Sequence, residues 1–543
     1  MRLANFGWRT FGAVATLTVA LAAGMLYSAP GSGGRPSSSP ALAGVITADP
    51  AEVVGSDAPV RSNPPVKGFT DRPTIPLDTY KRIKETSGTE KEGNATQAAS
   101  ADASAVSPLA VTNSGGFNGP NQGGPTGVPP DINGAVSRTD QIAAVVNRNL
   151  LVWTKALPPS LISNRNFATL TGDTADFFAP RILFDPQWKR WVISIDSRPV
   201  SSTQQTHYLL FSKTENAAGA YYVYSPNAAA AEWCGTGGTW SYPQIGMTQD
   251  AVIVTGNCFN SSNAFTGARV FGVAKAVVYN GGGFSVPKFA LPASDGTVTP
   301  PVVKDANPHA HLLTRSVHNV TFANPQGAFY GSIPSNVPIS GFFTPSVPRN
   351  AGQTGCTAAS CQLDTGDGRF VAPSSQYGDH LWNVATYGLT GNGTRAIPSW
   401  GDFDIDGGGV NTTKQRGRVS FDSCADGFNA SLAVGADERV WLNWSSTDPQ
   451  GSPCGSSRAR MMIAGRTATT PVNTMSNQLV AFTSCCTLTG NFSAAYGSQR
   501  WGGTSSVSID PLPTIESTTA WAWNETVTSS SLWGTRAQQV NNP

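Results

Sequence analysis

The chain has 543 residues, and its Gly 57 and Pro 39 interrupt it every few positions, leaving few windows for a helix of ordinary length. Charged residues make up 13%, about half the roughly 25% of an average soluble protein, and the formal net charge is +2. With no basic stripe interleaved with aromatics, that balance excludes an electrostatic case for nucleic acid as a partner.

At the N-terminus Arg2 and Arg9 flank the start of an apolar run from Phe11 to Leu26, followed by small residues including Ser28 and Ala29 and then Ala41-Leu42-Ala43. This order predicts a secretory signal peptide over residues 1–29. The alternative is an uncleaved signal anchor, because Phe11 to Ala29 approaches the roughly 18 residues a spanning helix needs. From Pro30 to about residue 115 the chain is rich in Pro, Ser, Ala, Gly and Thr and nearly lacks aromatics, which predicts a flexible linker or pro-segment. Within it, Leu77 to Glu92 carries Lys81, Arg82, Lys84, Glu85, Glu90, Lys91 and Glu92, a charge cluster expected to be transiently helical and solvated.

Aromatics and apolar alternation begin together near Phe117 and persist to Val540, so residues 116–543 are expected to form the folded domain. Three stretches share one phrase: Ile182-Leu-Phe-Asp185 before Trp191, Val419-Ser-Phe-Asp422 before Trp441, and Val507-Ser-Ile-Asp510 before Trp521 and Trp523. A short strand ending in Asp, a polar turn and a Trp-bearing strand is how a propeller blade begins. The fold class is therefore all-β, a β-propeller of six to eight four-stranded blades with seven favoured; a pair of β-sandwiches is the alternative, since strict periodicity is lost. Asp185, Asp422 and Asp510 are expected to accept backbone N–H bonds in their turns. All eight cysteines lie beyond the leader, which in an exported chain argues for disulfides. Proximity suggests Cys234 with Cys258 and Cys356 with Cys361; pairing of Cys485 and Cys486 with Cys424 and Cys454 is preferred to a vicinal bridge.

Further motifs occur in order: Asp131-Ile-Asn-Gly-Ala-Val136, Ala179-Pro-Arg181 through Pro186, Tyr242-Pro-Gln-Ile-Gly246, Leu363-Asp-Thr-Gly-Asp-Gly-Arg369, Tyr377-Gly-Asp-His380, Ala464-Gly-Arg466, Arg500-Trp-Gly502 and Trp533-Gly-Thr-Arg536. On these the chain resembles a group of large secreted bacterial β-propeller proteins with sialidase-like repeats. The resemblance implies the fold and an extracellular setting, and supplies no catalytic residues to transfer. The chain departs from that pattern at Leu381-Trp-Asn, where a His-containing strand is usual, and at Arg500-Trp-Gly-Gly503, where several such proteins carry Asp.

Asp402-Phe-Asp404-Ile-Asp406-Gly407 places alternate carboxylates before a glycine, as in the first half of a calcium loop, and predicts a structural calcium site. The twelfth position from Asp402 is Thr413, which rules out an EF-hand. His309, His311 and His318 are expected to be surface or packing residues rather than metal ligands. A glycosidase would need carboxylates and orienting arginines at the central face, for which Arg181, Arg369, Asp379, His380 and Arg466 are the candidates, with Tyr377 nearby. Glutamates in the folded region are five: Glu215, Glu232, Glu438, Glu516 and Glu525. The first expectation for function is a secreted or surface-tethered monomeric recognition module binding a glycan or protein. Its loops, such as Phe342 to Gln362, would form the recognition face. The second is an extracellular glycoside hydrolase of sialidase-like type or a polysaccharide lyase. Convergence of two carboxylates with arginines separates the two.

Overall fold

The computed structural model describes residues 41–56, 72–86, 111–122, 127–198, 205–226, 233–307, 309–316, 318–323, 337–405, 412–435, 437–449, 455, 457–476, 478–512 and 518–542. These belong to one compact unit, Ser38–Pro543. The expected leader over residues 1–29 lies outside the described residues, as do Asp406, Cys454, Glu232 and Glu516.

From Ile132 onward most of the described strands group in chain order into seven mainly antiparallel sets of three to five, with the short pair Phe492–Ser493 and Ser498–Gln499 outside them. Their innermost strands are Ile132–Val136, Asp176–Asp185, Thr239–Met247, Pro301–Val303, Ser374–Tyr377, Asp426–Val434 and Ser506–Ile509. In the fourth set Val298–Thr299 pairs with His309–Thr314, while Pro301–Val303 runs parallel to Ser374–Tyr377. The seventh set is completed from the other end of the domain, where Thr112–Asn121 pairs antiparallel with Leu532–Asn541. Neighbouring sets share apolar cores. Val145 and Val152 of the first meet Ile182 and Ile193 of the second, Trp400 of the fifth meets Leu442 of the sixth, and Trp521 and Trp523 of the seventh pack on Ile142 and Trp153 of the first. Because both faces of each sheet are covered, strands such as Tyr208-Leu-Leu-Phe211 read as continuous apolar runs rather than strict alternation. The architecture is an all-β propeller, and its tryptophans fill the seams: Trp191, Trp240, Trp382, Trp400, Trp441, Trp444, Trp521, Trp523 and Trp533 are fully buried.

Parts of the segment read as a linker are paired to the sheets. Ala41–Ala48 adds to the outer strand Phe284–Leu291 and Glu52–Val54 to Tyr221–Tyr224, covering two edges that would otherwise present unpaired backbone. Leu77–Thr86 is a helix, α1.

Two of the three repeated phrases are strand, turn, strand. Val419-Ser-Phe-Asp422 is instead an irregular connection with Phe421 exposed, and the inner strand of the sixth set begins later, at Asp426. The Asp role holds at all three: Asp185 accepts the N–H of Gln187 and Trp188, Asp422 those of Cys424 and Ala425, and Asp510 that of Leu512. Cys234–Cys258 and Cys356–Cys361 are bridged as expected. The preferred pairing of the last four cysteines is corrected, because Cys485 and Cys486 bond to each other. The Ser484 and Cys485 N–H groups bond to Ala459 and Val527, fixing this loop, while Cys424, itself disulfide-bonded, is held at the Asp422 turn.

Candidate functional site

The inner strands run in a common direction, so Asp131, Ala179, Tyr242 and Thr504 gather at one mouth of the central channel and Val136, Asp185, Met247, Val303, Val434 and Ile509 at the other. At the first mouth three inner strands carry a one-residue bulge. Ala179 (φ 51°), Tyr242 (φ 58°) and Asn429 (φ 51°) are left-handed where the register shifts, each followed by Pro180, Pro243 or Ala430. Such non-glycine conformations cost about 1–3 kcal/mol each and cluster where side chains must be re-aimed. Arg181, which follows the first bulge, and Arg369 both lie over the Tyr242 ring, at 5.0 and 4.7 Å, and the Tyr242 hydroxyl donates to the Gly503 carbonyl at 3.1 Å.

Two long connections, residues 339–373 and 484–505, interlock over this mouth: Gln353 bonds both the N–H and the carbonyl of Leu488, and the Asp364 N–H donates to Gln499. In the motif Leu363 to Arg369, the Asp364 carboxylate accepts the Gly366 N–H at 3.0 Å, and Gly368 (φ 83°) leaves no space for a side chain, since a Cβ there would lie 2.4 Å from the Ser346 carbonyl. Arg369 forks onto Asp367 at 2.7 and 2.9 Å. Arg500 pairs with Asp364. The two N–H groups that follow Trp501 hold two further carboxyls: Gly502 donates to Glu525 at 2.5 Å and Gly503 to Asp131 at 3.2 Å.

These four carboxyls titrate differently. Burial pushes Glu525 well above the ordinary glutamate value, the nearby Asp131 adds to this, and the Gly502 N–H and Arg500 oppose it. Burial also raises Asp131, against Arg181 and the Gly503 N–H. For Asp364 burial acts upward but is outweighed by Arg500, Lys84, Tyr80 and the Gly366 N–H, so it lies below the usual range. Asp367 is lower still, with Arg369 and Arg315 overcoming its burial. Two carboxyls shifted up, Glu525 and Asp131, and one shifted down, Asp364, thus share the field of one guanidinium, that of Arg500.

The mouth is occupied by the chain itself. Tyr80 and Lys84 of α1, buried at 2% and 4% exposure, reach Asp364 and Thr365: the Tyr80 hydroxyl donates to Asp364 and the Lys84 ammonium to the Thr365 hydroxyl at 2.6 Å. Just before α1, Thr74 donates its N–H and hydroxyl to Asp367 at 2.8 and 2.9 Å, and Arg369 donates to the Arg72 carbonyl at 2.5 Å. Tyr80, Ile75 and Ile83 pack on Val347 and Tyr496. Of the charge cluster expected to be solvated, Lys84 is therefore turned inward, together with the neighbouring Tyr80. Beneath α1 a void of about 50 Å³ remains, which suits water but not a sugar ring. The opposite mouth holds about 150 Å³, lined largely by strand ends and the Lys275–Asp185 ion pair, without a comparable convergence of acids and bases among the described residues.

Of the sequence candidates, Arg181 and Arg369 both pack on the Tyr242 ring. Asp379, His380 and Arg466 do not join them, because Asp379 and His380 open the nine-residue strand His380–Gly388 and Arg466 closes another at the far end of the sheets. There His380 Nδ1 lies 2.9 Å from Asp402, Lys414 pairs with Asp379 and lies 3.6 Å from Asp404, and Gln415 donates to Asp402 at 3.1 Å. Hydrogen bonding to Asp402 raises the His380 pKa. Two of the three carboxylates expected to share calcium, Asp402 and Asp404, thus face a histidine and a lysine, and no cluster of three or more His, Cys, Asp or Glu suited to a metal occurs among the described residues. Arg466 donates to the carbonyls of Thr470 and Thr474, closing a turn. His309 is exposed and His311 buried.

Asp131, Asp364, Asp367, Tyr242 and Arg500 all sit in the ordered motifs, yet they were not singled out. Asp364 and Arg500 are 136 positions apart, and no local pattern signals such a pairing. Glu525 carried only its rarity as a signal.

No family model matches the chain, and no curated protein matches it. Among solved structures it is similar to an alpha-L-arabinanase from Penicillium chrysogenum, with 9% identity over 80% of this chain and 98% of that one and a TM-score of 0.37. It is also similar to a protein of unknown function from Dyadobacter fermentans DSM 18053, with 9% identity over 67% and 94% and a TM-score of 0.34. A mutant Trypanosoma rangeli sialidase with trans-sialidase activity matches at 10% identity over 67% and 54%, with a TM-score of 0.31. The chemistry of the mouth is read from its own residues.

Proposed function

We infer that the chain is an exported enzyme that cleaves glycans at this channel mouth, a glycoside hydrolase or polysaccharide lyase, with Glu525 as proton donor and Asp364 as the ionised partner. One observation carries the reading: near Arg500, Glu525, held by the Gly502 N–H, has its pKa pushed up by burial, while Asp364, paired with Arg500, has its pKa pushed down. Acid–base catalysis needs that division of labour, and environments that push paired carboxyls apart assign the roles. The rim also matches a polyhydroxylated ligand. Asp364 and Asp367 accept from hydroxyl and N–H donors, Arg369 donates to a carbonyl, and the Tyr496 ring lies beside them. Disulfides within the described residues accord with export.

A second reading, a recognition module, is favoured by the rim's grip on residues 72–86, which is a bound peptide in all but connectivity. Release of reducing ends from neutral, amine-bearing and uronic polysaccharides by the full chain, read over long incubations, separates the two. The enzyme reading expects product and a loss of at least about 100-fold in Glu525→Gln with the fold intact. Binding without product, or an undiminished rate in Glu525→Gln, overturns it.

A further inference from the structure

We propose that residues 72–86 form a removable plug that keeps ligands from the channel mouth until it is displaced. The occlusion stands on geometry alone; its consequence for turnover rests on the reading above. The plug spans the opening. The Arg72 guanidinium donates to Thr239 and Asn263 at one side, Thr74 and the Arg72 carbonyl engage Asp367 and Arg369 in the middle, and Tyr80 and Lys84 engage Asp364 and Thr365 at the other. It covers Asp364, Asp367, Arg369 and Arg500, and the space it leaves does not admit a sugar.

Its mode of attachment is that of a ligand rather than of a structural helix. Only Ile75, Tyr80 and Ile83 contribute to an apolar contact, a cluster separate from the cores that join the sheets. The remaining anchors are the Lys84–Asp364 ion pair, the Arg72 guanidinium over the Phe259 ring at 5.7 Å and hydrogen bonds, and the hydrogen bonds can be replaced one for one by sugar hydroxyls or water. Burying the Lys84 ammonium costs desolvation that offsets much of its attraction to Asp364, 3.8 Å away. With 10 residues, α1 is shorter than the roughly 12–15 that an isolated helix needs in water, so it loses its helical form on leaving and does not persist as a competing rigid element.

The test uses the full chain and phenylglyoxal, an arginine-directed reagent, with labelled sites mapped by mass spectrometry. Arg369 and Arg500 lie under the plug; Arg181, buried against Tyr242 and Asp131, is untouched by it and reports on global fold. In a Tyr80→Ala, Lys84→Ala double variant, Arg369 and Arg500 are expected to label at least about tenfold faster than in the parent, with Arg181 unchanged, and a free peptide of residues 70–88 is expected to restore protection. Equal labelling in variant and parent overturns the plug. Faster labelling with no gain in glycan turnover keeps the plug and sinks the hydrolase reading. Should Arg181 also label, marking a damaged fold, the parent decides by amide exchange: α1 opening well before Trp441 and Leu442 supports the plug, and opening only with them overturns it.

Discussion

The Asp367 carboxylate is fully enclosed yet ionised, because Arg369 meets it with two parallel hydrogen bonds and Thr74 adds two more donors. A carboxyl held below its unfolded value contributes stability that is present above about pH 4 and lost as the pH falls through its folded value. Asp367→Asn should therefore lower stability at neutral pH and flatten the acid limb of a pH–stability profile measured by denaturant unfolding. Glu525 works in the opposite sense: because its pKa is raised in the fold, its contribution to stability falls as the pH rises above the unfolded glutamate value of about 4.3. Gly502 shows how tightly the two are seated. A Cβ there would lie 1.9 Å from the Pro130 carbonyl, so Gly502→Ala must shift the loop that presents Arg500 and both N–H donors. At this scale the sequence was readable where chemistry is local, as at Asp185, Asp422 and Asp510, whose carboxylates serve turns two or three residues on. It was opaque where a partner comes from another blade, as with Arg500 and Asp364.

Strands were legible because apolar runs and turn residues mark them: Asp176–Asp185 and Arg190–Arg198 carry the first repeated phrase as strand and following Trp-bearing strand. Val419–Asp422 misled because an Asp turn makes the same signature with or without a strand before it, and here the strand follows. α1 was hidden for a different reason. Half of its residues are charged, and its inward contacts come from Tyr80, Ile83 and Lys84, so no continuous apolar stripe advertises docking. Burial lowers the Lys84 pKa to about 8, well under its unfolded value. The docked state therefore disfavours the lysine's proton, and docking should strengthen as pH rises from about 8 toward 10.5. Amide-exchange protection of residues 77–86, corrected for intrinsic rates, should increase over that window, and Lys84→Met should remove the dependence. Protection that falls instead would contradict the buried placement of Lys84.

Across the whole molecule, stability comes from seams between sheets, filled largely by tryptophan, and the mouth chemistry is mounted on loops that those seams hold rigid. The bridges add to this unevenly. Cys234–Cys258 joins positions 24 apart and Cys356–Cys361 positions 5 apart, so loop entropy predicts a loss of about 3 kcal/mol for the double serine variant of the first and about 2 for the second, read from denaturant midpoints. The propeller was legible because its repeats are carried by core positions, whereas the site depends on two long connections that repeat nowhere. The central claim is that the mouth is an acid–base centre, and the protonation state of Glu525 tests it most directly. Infrared spectra of the full chain with isotope-labelled glutamate, differenced against Glu525→Gln, should show a neutral carboxylic acid at pH 7; an ionised carboxylate there would contradict the account.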